Sequence, residues 1–190
     1  MNPLCYVDLT VQTGGKGTGL PAPVLAGAAL RVLHGAFKQY PGHYALALPG
    51  FETAPFAKLR IFATNRDDLD TLVEAISGHN LMKDYVQLGY PRKVSQDFDG
   101  AWLQYSRYRI PSRKSGRHVE DGLRQRRMDQ ADQRRLPYFI LSSQSTGQQF
   151  GLYVAINPVA APIEWRSGDV LPDSYGLSVS SRAFALPDLP

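Results

Sequence analysis

The sequence predicts an α+β protein in two parts: a ferredoxin-like domain over residues 1–92 and a smaller, β-rich domain over residues 93–190 that carries an arginine-rich helix. Three observations support this prediction. Apolar patterns in the first 88 residues follow the order strand, helix, strand, strand, helix, strand, which is the ferredoxin-like order. Two short apolar runs beginning at residues 138 and 152 flank a turn, as in a β-hairpin. A helical pattern rich in arginine precedes that hairpin.

The composition is that of a chain with a hydrophobic core. Of the 190 residues, 43% are hydrophobic and 20% are charged, which favours a folded protein over disorder. The single cysteine, Cys5, excludes an intramolecular disulfide and a zinc site built from cysteines. We expect a cytosolic protein, since no run approaches about 18 apolar residues and the N-terminus lacks a basic and then apolar signal segment.

The first predicted strand and helix lie on either side of a glycine-rich run. Residues 4–11 favour a strand, and Pro23–Tyr40 has a helical pattern with Pro23 suited to the first turn. His34 falls at the edge of the apolar face of this helix, where a histidine is usually a satisfied core residue. The run Gly14–Gly19 has Gly17 where a phosphate-binding loop needs Ser or Thr, so we interpret it as a connection. The apolar face comprises Val24, Leu25, Ala28, Val32, Leu33, Ala36 and Phe37.

The remaining elements of the first part are three strands and a helix. The strands are expected at Tyr44–Leu48, Leu59–Ala63 and Tyr85–Leu88, and the helix at Arg66–Ile76. Asn65 is a plausible N-cap for this helix, and acidic residues follow it at the positive end. This scaffold is common among RNA-binding modules, but the aromatic consensus of an RNA recognition motif is absent from the sequence. Fold alone therefore does not indicate a function.

The second part begins with an aromatic strand and an arginine-rich helix. Ala101–Ile110 alternates aromatic and polar residues, so Arg107 and Arg109 are expected on one side of a strand. Such a pair can contact guanine edges or phosphates, and the alternative is cross-strand ion pairing. A helix over Val119–Arg135 would be about 25 Å long, enough to follow one groove of a short RNA duplex near its end.

Positive charge is concentrated in residues 104–135. This segment has ten Arg or Lys, nine of them Arg, against four acidic residues, whereas the rest of the chain has a net charge of −2. The pattern indicates a surface for nucleic acid, because guanidinium groups suit bidentate contacts with phosphates and bases. The alternative is a solvated helix whose charges serve only solubility. The candidate RNA-binding arginines of the helix and the segment before it are Arg117, Arg124, Arg126 and Arg127.

The hairpin near the C-terminus concentrates polar side chains on its turn. Its strands are Tyr138–Leu141 and Leu152–Ile156, with Thr146-Gly147 as the expected turn. The intervening stretch supplies hydroxyls, carboxamides including Gln144, and an aromatic ring, but no strong base and no ligand for a transition metal. This is the chemistry of a loop that holds a polar substrate. Residues 157–173 are expected to form a long connection before a terminal strand around Tyr175.

Three motifs resemble a known family. The stretch Ser143–Phe150, the sequence Tyr175–Ser178 and the helical Val32–Gly35 occur in the order and spacing seen in the CRISPR-associated endoribonucleases of type I-F systems, which cut repeat RNA into guide RNAs. The first motif is the specific one, since eight positions agree in a fixed order. The resemblance implies a metal-independent cleavage in which the ribose 2′-hydroxyl attacks the adjacent phosphate.

The resemblance also implies roles for individual residues. His34 would be the general base, which suits histidine because its ordinary pKa lies close to neutral pH. Ser143 would position the 2′-hydroxyl, Tyr175 would orient the site, and Ser145 would assist near the cleaved nucleotide. Phe150 would stack on a base at the foot of the stem, the alternative being a buried strand residue. A serine nucleophile is disfavoured, because no G-x-S-x-G motif is present.

The partners implied are the CRISPR repeat RNA stem-loop, the mature crRNA and other subunits of the type I-F surveillance complex. Arg107 and Arg109 correspond in place to a family pair that reads base edges near the cleavage site, although the family pair is not two arginines. No cofactor and no metal ligand are expected, since the other histidines are scattered along the chain. The alternative is a non-catalytic subunit that binds an RNA hairpin on the same scaffold.

Overall fold

The computed structural model describes residues 4–12, 19–111, 122–143, 147–160, 171–181 and 183–190. Four helices and nine strands lie in these ranges. The helices are α1 (Ala22–Gln39), α2 (Arg66–Ser77), α3 (Asn80–Tyr85) and α4 (Leu123–Gln133). The strands are β1 (Cys5–Val11), β2 (Ala45–Ala47), β3 (Lys58–Ala63), β4 (Val86–Leu88), β5 (Arg92–Lys93), β6 (Trp102–Tyr108), β7 (Tyr138–Ser142), β8 (Gln149–Val159) and β9 (Leu186–Pro187).

The first sheet confirms the predicted ferredoxin-like fold. Its strands lie in the order β2-β3-β1-β4, all antiparallel, with β5 also paired to β1. Alternate residues of β1, from Cys5 to Val11, are buried, as expected for a strand with one face on the core. Asn65 caps α2 as predicted, because its side-chain oxygen accepts a hydrogen bond from the backbone nitrogen of Asp68 at 2.8 Å.

The second sheet has the strand order β7-β8-β6-β9 and is also antiparallel. The predicted hairpin is confirmed, since β7 pairs with β8 in a register that places Ser142 opposite Gln149. Thr146 lies outside the described residues, and Gly147 has a φ of 64°, a left-handed conformation that glycine adopts without strain. The hairpin therefore presents the Ser143 region at its tip.

Helix α1 packs closely on the hairpin of the second sheet. A Cβ added to Gly27 would overlap the carbonyl group of Ile140 in β7, so only glycine permits this approach. The buried face of α1 includes Leu25, Leu30, Leu33 and Phe37. Because β7 leads directly to Ser143, the close approach places the later turns of α1 beside the hairpin tip.

Several element predictions were wrong at particular residues. Tyr85 ends the unpredicted short helix α3, which begins after His79, whose Nδ1 accepts from the backbone nitrogen of Leu81. Residues 157–159 extend β8 instead of joining a long connection. Tyr175 lies in a turn, and the strand near the end of the chain is β9, which pairs with β6.

The arginine-rich helix is shorter than predicted. Helix α4 has 11 residues, which correspond to about 16 Å. Gly122 precedes it with a φ of 85°, and this left-handed conformation prevents a continuous helix over Val119–Arg135. Residues 112–121 lie outside the described residues.

Buried residues from both predicted domains form one core. Leu9, Leu33 and Phe62 from the first part belong to the same cluster as Phe139 and Leu152 from the second. The division at residue 92 therefore stays a prediction. In the described parts of the chain, no helix has the length and apolar character needed to cross a membrane.

A buried arginine also connects the two parts. Arg60, which is 1% exposed, donates from Nε and Nη2 to the carboxylate of Asp8 at 2.6 and 3.0 Å. Its remaining donors reach the main-chain oxygens of Leu189 and Pro190 at 2.6 and 2.8 Å. Such a guanidinium is stable in the interior only when its donors are satisfied, so these contacts hold residues 189–190 on the first sheet.

Candidate active site

His34 lies on the last two turns of α1, at the edge of its buried face, as predicted. Its side chain is partly buried, and Nδ1 donates a hydrogen bond to the main-chain oxygen of Ser174 at 2.7 Å. Because a carbonyl oxygen can only accept, the proton of the neutral ring lies on Nδ1. The lone pair is therefore on Nε2, the nitrogen that can accept a proton.

The ring of Tyr175 fixes the plane of the imidazole. The two rings stack with their centroids 4.2 Å apart and an interplanar angle of 15°. Burial raises the pKa of the Tyr175 hydroxyl above its ordinary value, with Asp173 acting in the same direction and Arg107 opposing it. The hydroxyl consequently stays protonated at neutral pH, so the tyrosine is not an ionised base there.

A tight turn at residues 173–177 holds both groups that orient His34. The Oδ1 atom of Asp173 accepts hydrogen bonds from the backbone nitrogens of Tyr175 at 2.8 Å and Leu177 at 3.0 Å. Gly176 has a φ of 78°, and its main-chain oxygen accepts from the nitrogen of Leu46 in β2 at 2.8 Å. The turn is thus tied to the first sheet. Sequence reasoning missed Asp173 and Ser174, although an Asp followed three residues later by Gly is a typical turn signal.

The predicted catalytic residues line one cleft of about 490 Å³ between α1 and the hairpin. His34, Ser143 and Tyr175 contribute to its wall together with Phe150. The cleft is also lined by Arg31, Gly35, Lys38, Leu141 and Ser142, of which sequence reasoning assigned none. Gln144 and Ser145 lie outside the described residues.

Ser143 and Phe150 occupy the two sides of the hairpin tip. The backbone nitrogen of Ser143 donates to the main-chain oxygen of Gln148 at 2.9 Å, which continues the pairing of the hairpin beyond β7. Phe150, opposite Leu141 in the register, is partly buried against the core. Phe150 therefore packs on the core and also lines the cleft, and its stacking on a base stays a prediction.

Arg107 lies on β6, which pairs with β8 beside the hairpin. It lies on the face of β6 that carries the buried Tyr105, since residues two apart in a strand share a face. The positive charge of Arg107 lowers the pKa of Tyr175, which lines the cleft. Within the described ranges, neither Arg107 nor Arg109 forms an ion pair with a carboxylate, so cross-strand ion pairing is not observed there. Both are exposed, and Arg109 directly follows β6.

The comparison with protein families decides the identity. The family model described as CRISPR-associated protein (Cas_Csy4) matches residues 6–188. The chain belongs to this family. It is the type I-F family of endoribonucleases that process CRISPR repeat RNA, and the resemblance inferred from three motifs is confirmed. No match was found among the curated proteins.

In this Cas_Csy4 family member, two arginines of α4 contact the protein and a third is exposed. Arg124 donates from Nη1 to the main-chain oxygen of Pro111 at 2.7 Å, and the guanidinium of Arg127 lies 5.3 Å from the centre of the Tyr108 ring. Arg126 is exposed, and Arg117 lies outside the described residues. The contacts of Arg124 and Arg127 with the protein correspond to a structural role. A guanidinium has five N–H donors, so one such contact is compatible with an additional contact to a phosphate.

Helix α4 and Arg107 lie on opposite faces of the second sheet. Tyr108 is adjacent to Arg107 in β6 and therefore points to the other face, where its hydroxyl donates to Gln130 of α4 at 2.9 Å. An RNA that contacts both sets of arginines must therefore pass around the end of β6. Across the described residues, no group of three or more His, Cys, Asp or Glu side chains is placed to hold a metal ion.

Proposed function

We propose that this protein cleaves CRISPR repeat RNA at the 3′ base of its hairpin, with the 2′-hydroxyl of the RNA as nucleophile and without a metal ion. The observation that carries the proposal is the arrangement of His34. Its Nδ1 is engaged by Ser174 and its ring is stacked by Tyr175, so Nε2 is the proton acceptor in a cleft shared with Ser143.

In the proposed reaction, Nε2 of His34 takes the proton of the 2′-hydroxyl, and the 2′-oxygen attacks the adjacent phosphorus. The bond from phosphorus to the 5′-oxygen breaks, and the leaving oxygen takes a proton from water or from the imidazolium. The products are a 2′,3′-cyclic phosphate and a 5′-hydroxyl. Ser143 positions the 2′-hydroxyl for the attack. Such positioning is needed because the 2′-oxygen and the phosphorus must lie in line and about 3 to 3.5 Å apart.

The hairpin is held by groups on the second sheet. Phe150 stacks on a base at the foot of the stem, and Arg107 contacts the last base pair from the same side of the sheet. Arg109 and the arginines of α4 contact the stem around the end of β6. Because these contacts are made with the uncut stem, cleavage leaves them intact, and the protein retains the mature crRNA as a subunit of the surveillance complex.

Cleavage of the cognate repeat hairpin in the presence of a chelator tests the proposal. We expect wild-type cleavage with cyclic phosphate and 5′-hydroxyl ends, and no cleavage of an RNA with a 2′-deoxy nucleotide at the site. His34→Ala should slow single-turnover cleavage by about 10² to 10⁴-fold, as for loss of a general base, with nearly unchanged hairpin affinity. His43→Ala is the control, since His43 is exposed and paired with Asp68 at 3.3 Å.

The same experiment separates the enzyme from a non-catalytic hairpin-binding subunit. If wild-type protein binds the repeat RNA and leaves it uncut, the catalytic proposal is wrong. If His34→Ala cuts as fast as wild type, the assignment of the base is wrong.

A further inference from the structure

A stripe of α1 lines the cleft beside His34 without a role in the reaction above. The stripe consists of Arg31, Gly35 and Lys38, spaced four and three residues apart, which places them on one side of the helix. All three are exposed and contribute to the wall of the cleft that His34 and Ser143 share. The stripe thus adjoins the place where the cleaved phosphate would lie.

Gly35 has no explanation in the packing of the described residues. It lies inside an 18-residue helix, where glycine is destabilising relative to alanine. A Cβ at Gly35 would meet no described atom within 4 Å, whereas a Cβ at Gly27 of the same helix would overlap Ile140. Gly35 therefore keeps a length of helix backbone bare at the surface of the cleft.

The two cations of the stripe flank this bare backbone. Arg31 and Lys38 are separated by about 10 Å along the helix axis, with His34 and Gly35 between them. Neither makes an ion pair with a carboxylate in the parts of the chain that the structure describes. Two exposed cations on either side of an open helix surface are well placed to contact successive phosphates of an RNA strand.

We propose that this stripe binds the RNA strand on the 3′ side of the cleaved bond. The proposal rests on the proposed function. The stem is held from the second sheet, by Phe150 and by Arg107, whose charge acts on Tyr175. His34 extends into the cleft from α1, and in this proposal the strand that continues past the cleaved bond lies over the α1 side of the cleft. Its sugar-phosphate backbone approaches Gly35, and Arg31 and Lys38 contact its phosphates.

Binding of two uncleavable RNAs tests the proposal independently of catalysis. Both carry a 2′-deoxy nucleotide at the cleavage site; one ends there, and the other continues for several nucleotides on the 3′ side. In the variant Arg31→Ala/Lys38→Ala, the salt dependence of binding the extended RNA should fall by about 1 per lost phosphate contact, while binding of the short RNA is unchanged. Lys83→Ala removes an exposed cation of α3 that does not line the cleft and is the control.

A loss of affinity of equal size for both RNAs would show that the stripe contacts the stem, and no loss for either would show that it does not bind RNA. Each result overturns the proposal. If the wild-type protein fails to cleave, the proposed function is wrong, but the comparison of the two uncleavable RNAs still decides whether the stripe binds the 3′ strand.

Gly35→Ala provides a second test with a matched control. The substitution should raise the midpoint of thermal unfolding, because alanine favours a helix. It should slow cleavage of the extended RNA by about tenfold or more, since small displacements of the bound strand disturb the attack. Gly78→Ala is the control, because Gly78 is exposed, has a φ of −72° and has open space at its Cβ. Stabilisation by Gly35→Ala with wild-type cleavage would overturn the proposal.

Discussion

The helix that carries His34 and the helix rich in arginine are held in different ways. Helix α1 has eight buried residues of 18, whereas α4 has one of 11, Ala131. His34 is oriented by Ser174, 140 residues away in the sequence, while α4 is fixed by contacts with Tyr108 and Pro111. The groups of the proposed chemistry are therefore held by a largely buried helix, whereas the proposed RNA contacts lie on a helix with one buried residue.

This difference matches what each region has to do. In-line attack on a phosphate depends on sub-ångström placement, so its groups benefit from buried supports. Contacts with phosphates depend on long-range charge and tolerate displacement of the helix. Substitutions in the first region should therefore change the rate of cleavage, and substitutions in the second should change affinity.

Among the residues that orient His34, the largest effect is expected at Tyr175. Removing the ring in Tyr175→Ala frees the imidazole of His34, and cleavage should slow by about 10²-fold, as for a misplaced catalytic group. Tyr175→Phe keeps the stacked ring and should cleave at close to the wild-type rate in single-turnover measurements. If Tyr175→Phe cleaves as slowly as Tyr175→Ala, the hydroxyl takes part in the reaction. That result would contradict the proposed role, in which the stacked ring orients His34 and the hydroxyl, with its raised pKa, stays protonated.

A smaller effect is expected at Asp173, which acts through the turn. Asp173→Ala removes the acceptor of two backbone hydrogen bonds, so the main-chain oxygen of Ser174 loses its fixed position. Cleavage should slow by roughly tenfold, and nitrogen NMR of the His34 ring should show less of the tautomer protonated on Nδ1. Asp173→Asn keeps the side-chain acceptor and should restore both properties. A slow Asp173→Ala with an unchanged tautomer would contradict the role as a positioning residue.

The sequence was sufficient where local patterns decide the structure. The helix of His34, the cap at Asn65 and the hairpin after Tyr138 follow from periodicity, capping and turn residues. The hydrogen bond from His34 to Ser174 could not be predicted from the sequence. The turn at Asp173 has a local signal, but its position beside α1 depends on the long-range contact between Gly176 and Leu46 of β2. The helix through Gly122 was predicted too long, since a glycine that weakens a helix can equally adopt a left-handed φ and end it.

The arginines of α4 should affect binding and not the chemical step. In Arg124→Ala/Arg126→Ala/Arg127→Ala, the slope of affinity against salt concentration should fall by about 1 for each arginine that contacts a phosphate. The rate of cleavage at saturating protein should stay close to that of wild type. Lys83→Ala serves as the control for removal of an exposed cation. An unaltered slope of affinity against salt concentration would support the alternative, in which α4 is a solvated helix whose charges serve only solubility.

The smallest effect is expected at the contact that anchors α4 to the sheet. Tyr108→Phe removes the hydroxyl that donates to Gln130 at 2.9 Å and keeps the ring beneath Arg127. A hydrogen bond of this kind contributes about 0.5 to 1.5 kcal/mol, so amide hydrogens of α4 should exchange severalfold faster, while those of α1 do not change. Tyr90→Phe is the control, because Tyr90 is 85% exposed. If exchange accelerates equally in both helices, the two regions are not supported independently, and the separation between a rigid catalytic frame and an adaptable RNA-binding helix fails.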